Sequence, residues 1–256
     1  MHIMKLREKY FDFIKYGTKI YEIRLNDDKR KIIKIGDFVE FQKEPLKEEK
    51  IIYKVDDLLY FKNFNELLNS IDIKYLVSSS ESKNELLESL NTFYSLEEQE
   101  RYGVVAIKLD KNITIEKCLL SSIEYDNEVF DNVKKNYKDS FDWYNKLCLN
   151  NEVCYITKSD NKITSIILLK ENEIDSQQID LKNVLKIRTM NVIDKNKGIG
   201  KLYLEFINKF AKYNNNDYVY LTCNKENNEF INFIEHNGFK MYKEYLDEFV
   251  YVREVK

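Results

Sequence analysis

The hydrophobic and polar positions of this chain follow two different periods along its length. Apolar, β-branched and aromatic residues dominate short runs such as 51–55, 103–109 and 184–193, which predicts β-strands. Apolar residues recur three and four positions apart over 202–210 and 227–235, which predicts amphipathic helices. Short strands mixed with helices in this way indicate an α+β fold.

The order of these elements differs between the two halves of the chain. Before residue 110, short strands alternate with helical turns, which is typical of a small barrel-like domain. After residue 113, the predicted order is two helices, a hairpin, a long strand, a glycine turn, a helix, a strand, a helix and a second hairpin. A polar step at 110–113 separates the halves, so we predict one domain over 1–112 and another over 113–256.

A glycine turn lies between the long strand and the helix that follows it, and it reads Lys195-Asn196-Lys197-Gly198-Ile199-Gly200. Such a turn aims several backbone N–H groups and a helix N-terminus at one place, which suits a phosphate group. A P-loop would need Ser or Thr where Leu202 stands, and a dinucleotide fingerprint would need a third glycine in place of Tyr203. A purely structural turn remains the other interpretation, because Gly-x-Gly after a strand is common.

Two motifs in the second half resemble those of the GNAT superfamily of N-acetyltransferases. The basic-x-x-Gly-x-Gly pattern that ends at Gly200 resembles the acetyl-CoA pyrophosphate loop of that superfamily. A second pattern begins at Asn227 and resembles Asn-x-x-Ala-x-x-x-Tyr-x-x-x-Gly-Phe, with Phe230 in place of the alanine and Ile234 in place of the tyrosine. The resemblance implies a mixed sheet flanked by helices, with acetyl-CoA as the cofactor and an amine as the acceptor.

The same resemblance implies how the coenzyme is held and how the reaction proceeds. An amine would attack the acetyl thioester directly, without an acyl-enzyme, while a backbone N–H near Met190 to Val192 polarises the carbonyl oxygen. The implied coenzyme-binding residues are Met190, Val192, Lys195, Asn196, Lys197, Gly198, Ile199, Gly200, Lys201, Asn227 and Phe230.

The acid of this reaction is not marked by the resemblance. Ile234 is aliphatic and cannot donate a proton, although a thiolate leaving group with a pKa of about 8.5 needs little protonation. Cys223, Tyr203 and Tyr242 are candidate substitutes, and each also fits a residue of the core or of a strand. We take Met190, Cys223 and Tyr242 as the predicted catalytic residues, and no residue stands out as the base.

A third motif lies near the start of the chain. Residues 17–24 read Gly-Thr-Lys-Ile-Tyr-Glu-Ile-Arg and resemble the Gly-x-Lys-x-x-Glu-x-Arg pattern of ASCH domains. Glu22 and Arg24 are two residues apart, so on a strand they point to one face and can pair, with Lys19 close by. These charges form either a grip for a polar ligand or a surface ion pair worth less than about 1 kcal/mol.

The ASCH resemblance implies a PUA-like β-barrel over residues 1 to 112 that binds RNA or a nucleotide-like ligand through Lys19, Glu22 and Arg24. Some similar bacterial proteins are acetylcytidine amidohydrolases that use a lysine, a threonine and a glutamate. Lys19 matches that lysine, but Glu22 stands where the threonine would be, so amidohydrolysis is the weaker alternative.

Composition and charge narrow the function further. The net charge is −3, which gives no overall field for nucleic acid, although residues 1–34 carry ten Lys and Arg against five Asp and Glu. Four cysteines without a Cys-x-x-Cys pair, and only two histidines, predict free thiols and no metal site. The chain shows no signal-peptide core and no run of about 18 apolar residues, which predicts a cytoplasmic protein without a membrane partner.

The two resemblances together imply an acetyl-CoA-dependent N-acetyltransferase with an ASCH module. One alternative is a non-catalytic RNA-binding ASCH protein whose second domain is a degenerate acetyltransferase, and the other is the amidohydrolase. The sequence does not identify the acceptor amine, because loops such as 171–180 shape an acceptor pocket and no sequence pattern in them indicates which amine binds.

Overall fold

The structure is a computed structural model that describes residues 1–77, 82–110, 114–159, 161–173, 179–193 and 198–255. The chain divides into an N-terminal unit, Met1–Thr114, and a C-terminal unit, Ile115–Lys256. This division lies two residues beyond the end of the first domain that the sequence predicts, next to the same polar step.

In the described part of the N-terminal unit, five strands form one sheet. They are β1 (His2–Arg7), β2 (Tyr21–Leu25), β3 (Phe38–Glu44), β4 (Lys50–Phe61) and β5 (Val104–Leu109). Their order is β1-β3-β4-β5-β2, with β1 parallel to β3 and the other neighbours antiparallel. β4 pairs with β3 through its first half and with β5 through its second, and its register with β5 shifts between Val55 and Asp57. Such an irregularity bends a strand, which curls the sheet in the manner of the predicted barrel.

Helices fill the connections between these strands. They are α1 (Glu8–Lys15), α2 (Asp28–Lys31), α3 (Phe64–Ser70), α4 (Lys83–Phe93) and α5 (Leu96–Tyr102). α4 and α5 each begin with a capping box, formed by Ser82 with Glu85 and by Ser95 with Glu98. Neither helix is among those predicted from the sequence, although Ser-x-x-Glu marks the start of each.

β5 has buried side chains on both of its faces. Val105, Ile107 and Leu109 pack with α1, β1, β3 and β4 in one core. Val104 and Ala106 pack with α3 and α4 in another. Side chains alternate along a strand, so a strand covered on both faces needs an uninterrupted apolar run, which is the pattern that predicts β5 from the sequence.

The C-terminal unit begins with a short strand, Ile115–Leu119, that is not predicted from the sequence, and the helices and strands after it follow the predicted order. Its strands are β6 (Ile115–Leu119), β7 (Val153–Ser159), β8 (Lys162–Glu171), β9 (Val184–Val192), β10 (Tyr218–Asn224), β11 (Lys240–Tyr245) and β12 (Glu248–Glu254). Its α-helices are α6 (Asp131–Asn136), α7 (Ser140–Leu149), α8 (Ile199–Tyr213) and α9 (Asn228–His236). The strand order is β6-β7-β8-β9-β10-β12-β11, and the neighbours are antiparallel except β9 and β10, which are parallel. α8 supplies the crossover that a parallel pair requires.

Helices cover both faces of this sheet. On one face, side chains of β7 and β8 pack with Tyr144 and Leu147 of α7. On the other face, the ring of Tyr155 on β7 lies 5.0 Å from Phe206 and 5.9 Å from Phe210, both on α8. The predicted fold class, α+β with a mixed sheet flanked by helices, is therefore confirmed. None of the described helices is both long and apolar enough to cross a membrane.

Candidate functional site

β9 and β10 run side by side only over their first parts. Their pairing joins 184–187 to 218–221, whereas β9 continues to Val192 and β10 to Asn224. Beyond Ile187, the β9 edge that faces β10 has no strand partner among the described residues. Backbone N–H and C=O groups on such an edge remain available to a ligand or to water. The two strands therefore open a gap in the middle of the sheet.

A β-bulge lies at the point where the two strands part. In the register between β8 and β9, Ile187 pairs with Leu169 and Thr189 pairs with Leu168, so Arg188 is the extra residue. A bulge of this kind bends the strand and redirects its backbone groups. The second half of β9 consequently turns away from β10 at Arg188.

Ion pairs fix the side chain of Arg188 at this bulge. Its Nη1 lies 3.1 Å from Oε1 of Glu152, and its guanidinium also pairs with Glu173. Lys186 pairs with the same Glu173 carboxylate at 2.9 Å. Burial alone would raise the pKa of Glu173, but Lys186 and Arg188 together hold it below its usual value. The network keeps Glu173 ionised and Arg188 paired at the edge of the gap.

The gap between the strands belongs to a pocket of about 430 Å³. This volume falls within the range of roughly 300–1,000 Å³ that is usual for small-molecule sites. Its walls come from the end of α6, the second halves of β9 and β10, the start of α8 and the first turns of α9. Across the described ranges of the chain, no group of three or more His, Cys, Asp and Glu side chains is placed to hold a metal ion.

The N-terminus of α8 opens into this pocket through two glycines. Gly198 precedes the helix with a φ of +76°, a left-handed conformation that glycine adopts without strain, and no capping side chain is provided there. At Gly200, an added Cβ atom would lie 2.9 Å from Cζ of Phe233 on α9, so glycine allows the close approach of the two helices. The first N–H groups of α8 and the positive end of the helix dipole therefore face the pocket.

A lysine adds positive charge at the start of α8. Lys201 is exposed, belongs to the first turn of α8 and lines the pocket. Open backbone N–H groups beside a lysine form a favourable place for an anionic phosphate. This end of the pocket thus has the chemistry of a phosphate site.

The structure brings most of the predicted coenzyme-binding residues to this pocket. Those that line it are Met190, Val192, Gly198, Ile199, Gly200, Lys201, Asn227 and Phe230. Asn227 also caps α9, because its side chain accepts a hydrogen bond from the backbone N–H of Phe230 at 3.3 Å. Lys195, Asn196 and Lys197 lie outside the described residues.

Among the predicted catalytic residues, Met190 and Cys223 meet in the pocket and Tyr242 does not. Met190 lies on the unpaired part of β9, and Cys223 lies on the facing part of β10. Tyr242 lies on β11, is 37% exposed and is absent from the pocket lining. The hairpin of β11 and β12 places β11 at the far edge of the sheet, separated from β10 by β12.

The two remaining positions of interest are core residues. Ile234 on α9 is fully buried, so the position of the family tyrosine lies in the core of this protein. Tyr203 on α8 is also fully buried, donates a hydrogen bond to the carbonyl of Tyr155 at 3.1 Å and accepts one from Ser165 at 2.8 Å. Both hydrogen bonds hold the hydroxyl of Tyr203 within the core, so Tyr203 has a structural role.

Cys223 is expected to be chemically inert. Burial, with the neighbouring carboxylates of Glu248 and Glu235, raises the pKa of its thiol to about 12. An ordinary cysteine, with a pKa of about 8.5, is alkylated readily near pH 8 because a substantial fraction is thiolate. We expect Cys223 to stay unmodified by iodoacetamide near pH 8 in the folded protein, as measured by mass spectrometry of its peptide. Alkylation as fast as in the unfolded chain would contradict the raised pKa.

The pocket residues on α6 and directly after it are not detectable from the sequence. Asn132, Val133 and Asn136 of α6 and the following Tyr137 line the pocket, but no motif marks them and only the fold brings them to β9 and β10. Phe233 is different, because it follows Phe230 by one helical turn and the two rings lie 6.4 Å apart. The helical period could therefore have identified Phe233.

The N-terminal unit holds a buried cluster of charges. Nε of Arg24 donates to Oε1 of Glu22 at 2.7 Å, and Nζ of Lys19 lies 3.3 Å from Oε2 of the same carboxylate. Lys19 is 5% exposed and Glu22 is 3% exposed, so the pair is buried and the surface alternative is wrong. Arg24 also donates to the carbonyl of Lys5 at 2.9 Å and to the hydroxyl of Tyr94 at 3.4 Å. Burial alone would raise the pKa of Glu22, but Lys19 and Arg24 hold it below its usual value.

Residues 4–113 match the family model described as the ASCH domain. Among solved structures, the N-terminal part is similar to the hypothetical protein PH0355, with 35% identity over 42% of this chain and 95% of that chain and a TM-score of 0.38.

The C-terminal part is similar to GNAT acetyltransferases. One is the PaiA N-acetyltransferase of Thermoplasma acidophilum in complex with coenzyme A, with 18% identity over 56% of this chain and 98% of that chain and a TM-score of 0.44. Another is a GNAT family acetyltransferase of Elizabethkingia anophelis with acetyl-CoA bound, with 18% identity over 57% of this chain and 99% of that chain and a TM-score of 0.41. None of the curated proteins matches this chain.

Proposed function

We propose that this chain, in which residues 4–113 form an ASCH domain, is an acetyl-CoA-dependent N-acetyltransferase through its C-terminal unit. The observation that carries the proposal is the gap between the parallel strands β9 and β10, which shares one pocket with the open N-terminus of α8. Acetyl-CoA combines a pyrophosphate with a narrow amide-containing arm. The helix end suits the pyrophosphate, and the free strand edges suit the amides of the arm, which can bind as an added strand would.

The residues of the pocket fit the parts of this coenzyme. The N–H groups of 199–201 and the side chain of Lys201 would hold the pyrophosphate, with Lys195 and Lys197 as further contacts that we propose from the sequence. Met190 and Val192 on β9 and Asn227 and Phe230 on α9 would hold the arm. The start of α8 would thus bind the pyrophosphate, while the free edge of β9 would bind the arm.

Acetyl-CoA, when bound, supplies an acetyl group already activated as a thioester. Backbone N–H groups on the free edge of β9 near Met190 would polarise its carbonyl oxygen, and the pocket would hold the acceptor amine beside the carbonyl carbon. The raised pKa of Cys223 keeps this thiol protonated at neutral pH, so it does not serve as a nucleophile. Direct attack by the amine is therefore the favoured reaction.

Turnover provides the test of this proposal. The full chain is incubated with acetyl-CoA and a panel of amines, namely polyamines, aminoglycosides, nucleobase amines and peptides, and release of free coenzyme A thiol is followed with a thiol reagent. We expect release that depends on at least one amine, with the acetylated amine found by mass spectrometry. If no amine on the panel is acetylated although the coenzyme binds, the non-catalytic alternative is favoured instead.

Lys201→Glu is expected to weaken acetyl-CoA binding by about 10- to 100-fold, because a phosphate contact is replaced by a repulsive charge. A glutamate in the first turn of a helix interacts favourably with the positive end of the helix dipole, so this change is not expected to destabilise α8. The dissociation constant is measured by calorimetry.

Lys212→Glu is the matched control for Lys201→Glu, since Lys212 is an exposed lysine in the last turn of the same helix. We expect coenzyme affinity within about twofold of the unchanged protein for this control. Equal affinities of both variants would contradict the placement of the pyrophosphate at the start of α8.

Binding of RNA or a nucleotide-like ligand by the ASCH domain is the second function that we propose. The supporting observation is the buried cluster of Lys19, Glu22 and Arg24, because charges are seldom kept in a protein interior without a role. We expect the affinity of the full chain for RNA oligomers to fall as salt rises, since phosphate contacts release counterions. No binding, or binding unaffected by salt, would contradict the RNA assignment, and acetate release from acetylcytidine that Lys19→Ala abolishes would favour the amidohydrolase.

A further inference from the structure

The proposed acetyl transfer lacks an identified group that removes a proton from the attacking amine. The position of the family tyrosine is occupied by the buried Ile234, and the thiol of Cys223 has a raised pKa. An amine that attacks a carbonyl must lose a proton before the product amide is stable. A polar pair at the edge of the same pocket, of which one member lines it, offers this function, and no sequence motif connects its two members.

Tyr137 and Glu248 form this pair. Tyr137 follows α6, lines the pocket and donates a hydrogen bond from its hydroxyl to Oε1 of Glu248 at 2.8 Å. Glu248 is the first residue of β12, opposite Asn224 in the register with β10, and Asn224 also lines the pocket. The two residues are 111 positions apart in the chain. Their contact places a hydroxyl and a carboxylate beside the gap between β9 and β10.

The neighbours of the pair keep the proton on the tyrosine. Tyr137 is 46% exposed, and its partial burial, the hydrogen bond to Glu248 and the nearby Cys223 raise its pKa. Cys223 on β10 is thus a titratable neighbour of Tyr137, and Glu235 on α9 acts in turn on Cys223. Glu235 is itself held by a hydrogen bond from the hydroxyl of Tyr251 at 2.8 Å. Tyr137 therefore donates to a carboxylate, the arrangement in which a hydroxyl can pass a proton on.

We propose that Tyr137 and Glu248 are the proton-transfer pair of this site, an assignment that rests on the acetyltransferase function proposed above. As the C–N bond forms and the C–S bond breaks, the oxygen of Tyr137 accepts a proton from the amine nitrogen. The proton of Tyr137 passes to the carboxylate of Glu248, and the electron pair of the C–S bond leaves on sulfur. Glu248 later returns the proton to solvent or to the departing thiolate, so charge and atoms balance.

Tyr137→Phe, Glu248→Gln and the double variant test the assignment in the full chain. We expect each single change to lower kcat by about 100-fold, a typical contribution of general acid–base catalysis. The double change should cost no more than either single one, because the two groups act as a unit. The affinity of each variant for acetyl-CoA should stay within about twofold of that of the unchanged protein. The rate of Glu248→Gln should recover as pH rises, because unprotonated amine in solution can then take up the proton that Glu248 no longer accepts.

The controls are Tyr213→Phe and Glu254→Gln, which change exposed residues of the same types at the end of α8 and of β12. If the variants at Tyr137 and Glu248 turn over as fast as these controls, the proton-transfer assignment is wrong, whereas the acetyltransferase proposal is unaffected. Losses that add in the double variant and accompany weaker coenzyme binding would show a structural role and overturn it as well. A protein that binds no acetyl-CoA, or acetylates no amine, would overturn the acetyltransferase proposal and this assignment with it.

A second inference comes from two thiols in a different part of the C-terminal unit. Cys118 on β6 and Cys154 on β7 are directly opposite each other in the register, and their Sγ atoms are 3.5 Å apart. Residues opposite on antiparallel strands have Cα atoms about 4.5–5.5 Å apart, within the range of about 4.4–6.8 Å that a disulfide needs. Cys154 is buried, whereas Cys118 is partly exposed.

We propose that Cys118 and Cys154 are a thiol oxidation site for peroxide. The Cys118 thiolate attacks one oxygen of hydrogen peroxide, which gives a sulfenic acid and hydroxide. The Cys154 thiol then displaces water from that sulfenic acid and closes the disulfide, so two thiols are oxidised and one peroxide is reduced to two waters. The hydrogen bond between the two thiols holds the pKa of Cys118 below its ordinary value against the opposing effect of burial, and Cys118 is the more exposed of the two, so Cys118 is the attacking thiol.

The test treats the full chain with hydrogen peroxide, blocks the remaining thiols and maps peptides with and without reductant. We expect a reducible link between the peptides of Cys118 and Cys154, retained in Cys148→Ser and lost in Cys118→Ser. Cys148 is the control because it is a partly exposed thiol on α7. A link that joins Cys118 to another cysteine, or oxidation of Cys118 to the sulfinic acid without any link, would overturn the proposal.

Discussion

Glu22→Gln is expected to lower the free energy of unfolding of the N-terminal unit by about 3–5 kcal/mol, the usual cost of removing one partner from a buried ion pair. The carboxylate of Glu22 is the counter-charge for both Lys19 and Arg24, and Lys19 has almost no exposure of its own. Glutamine has the same shape, so the change removes charge without creating a cavity. The buried Lys19 and the partly exposed Arg24 would then both lose this anion.

Hydrogen exchange of the full chain measures this effect locally. Peptides of β2 and β5 report on the N-terminal unit, because Glu22 lies on β2 and β2 pairs only with β5 in the described sheet. Glu49→Gln is the matched control, since Glu49 forms a half-exposed ion pair with Lys15 at 2.6 Å and should contribute less than about 1 kcal/mol. Equal losses of hydrogen-exchange protection in Glu22→Gln and Glu49→Gln would show that the buried ion pairs of Glu22 stabilise the unit no more than an exposed ion pair does.

The same carboxylate gives the N-terminal unit an acid sensitivity of known sign. The folded pKa of Glu22 is below its ordinary value, because Lys19 and Arg24 outweigh the effect of burial. Its contribution is complete above the unfolded pKa of about 4.5 and is lost as pH falls through the lower, folded value. We expect Glu22→Gln to remove part of the stability loss below about pH 4.5, measured by melting temperature against pH. A slope unchanged by the substitution would contradict the lowered pKa.

Gly200→Glu is expected to weaken acetyl-CoA binding by at least about 100-fold. Two effects act in one direction. A Cβ at this position would lie 2.9 Å from the Phe233 ring, which lines the pocket and must shift, and the added carboxylate would lie where we propose that the pyrophosphate binds. The backbone at Gly200 is helical and does not need a positive φ, so the effect comes from space and charge.

Gly200→Ala separates these two effects, since it adds the Cβ without the charge. We expect a smaller loss of affinity for Gly200→Ala, and partial recovery in Gly200→Ala/Phe233→Ala, where the ring that meets the Cβ is removed. Calorimetric dissociation constants give the comparison, and thermal melting checks that each variant is folded. Full affinity of Gly200→Glu would show that the start of α8 is not part of the coenzyme site.

Much of the C-terminal fold was predictable because its signals are local. The long strand, the glycine turn and the following helix are adjacent in the chain, so β-branched runs, Gly198 and the helical period predict β9 and α8 directly. The pairing of Glu22 with Arg24 was predictable for the same reason, since two residues on one strand share a face.

The features of the structure that were not predictable depend on contacts between distant segments, which a local sequence pattern does not specify. The hydrogen bond between Tyr137 and Glu248 links segments 111 residues apart, and neither residue belongs to a motif. The distance of Tyr242 from the pocket follows from the position of β11 at the sheet edge, which a hairpin pattern alone leaves open. The burial of Lys19 and Glu22 likewise depends on packing from distant parts of the N-terminal unit.

Calorimetric titration of acetyl-CoA into the full chain tests the central claim most directly. The gap between β9 and β10 and the open start of α8 predict binding at one site per chain with a dissociation constant on the order of micromolar. This binding should weaken in Lys201→Glu and persist in Lys212→Glu. Absence of binding, or equal binding by all three proteins, would contradict the assignment of this pocket to the coenzyme.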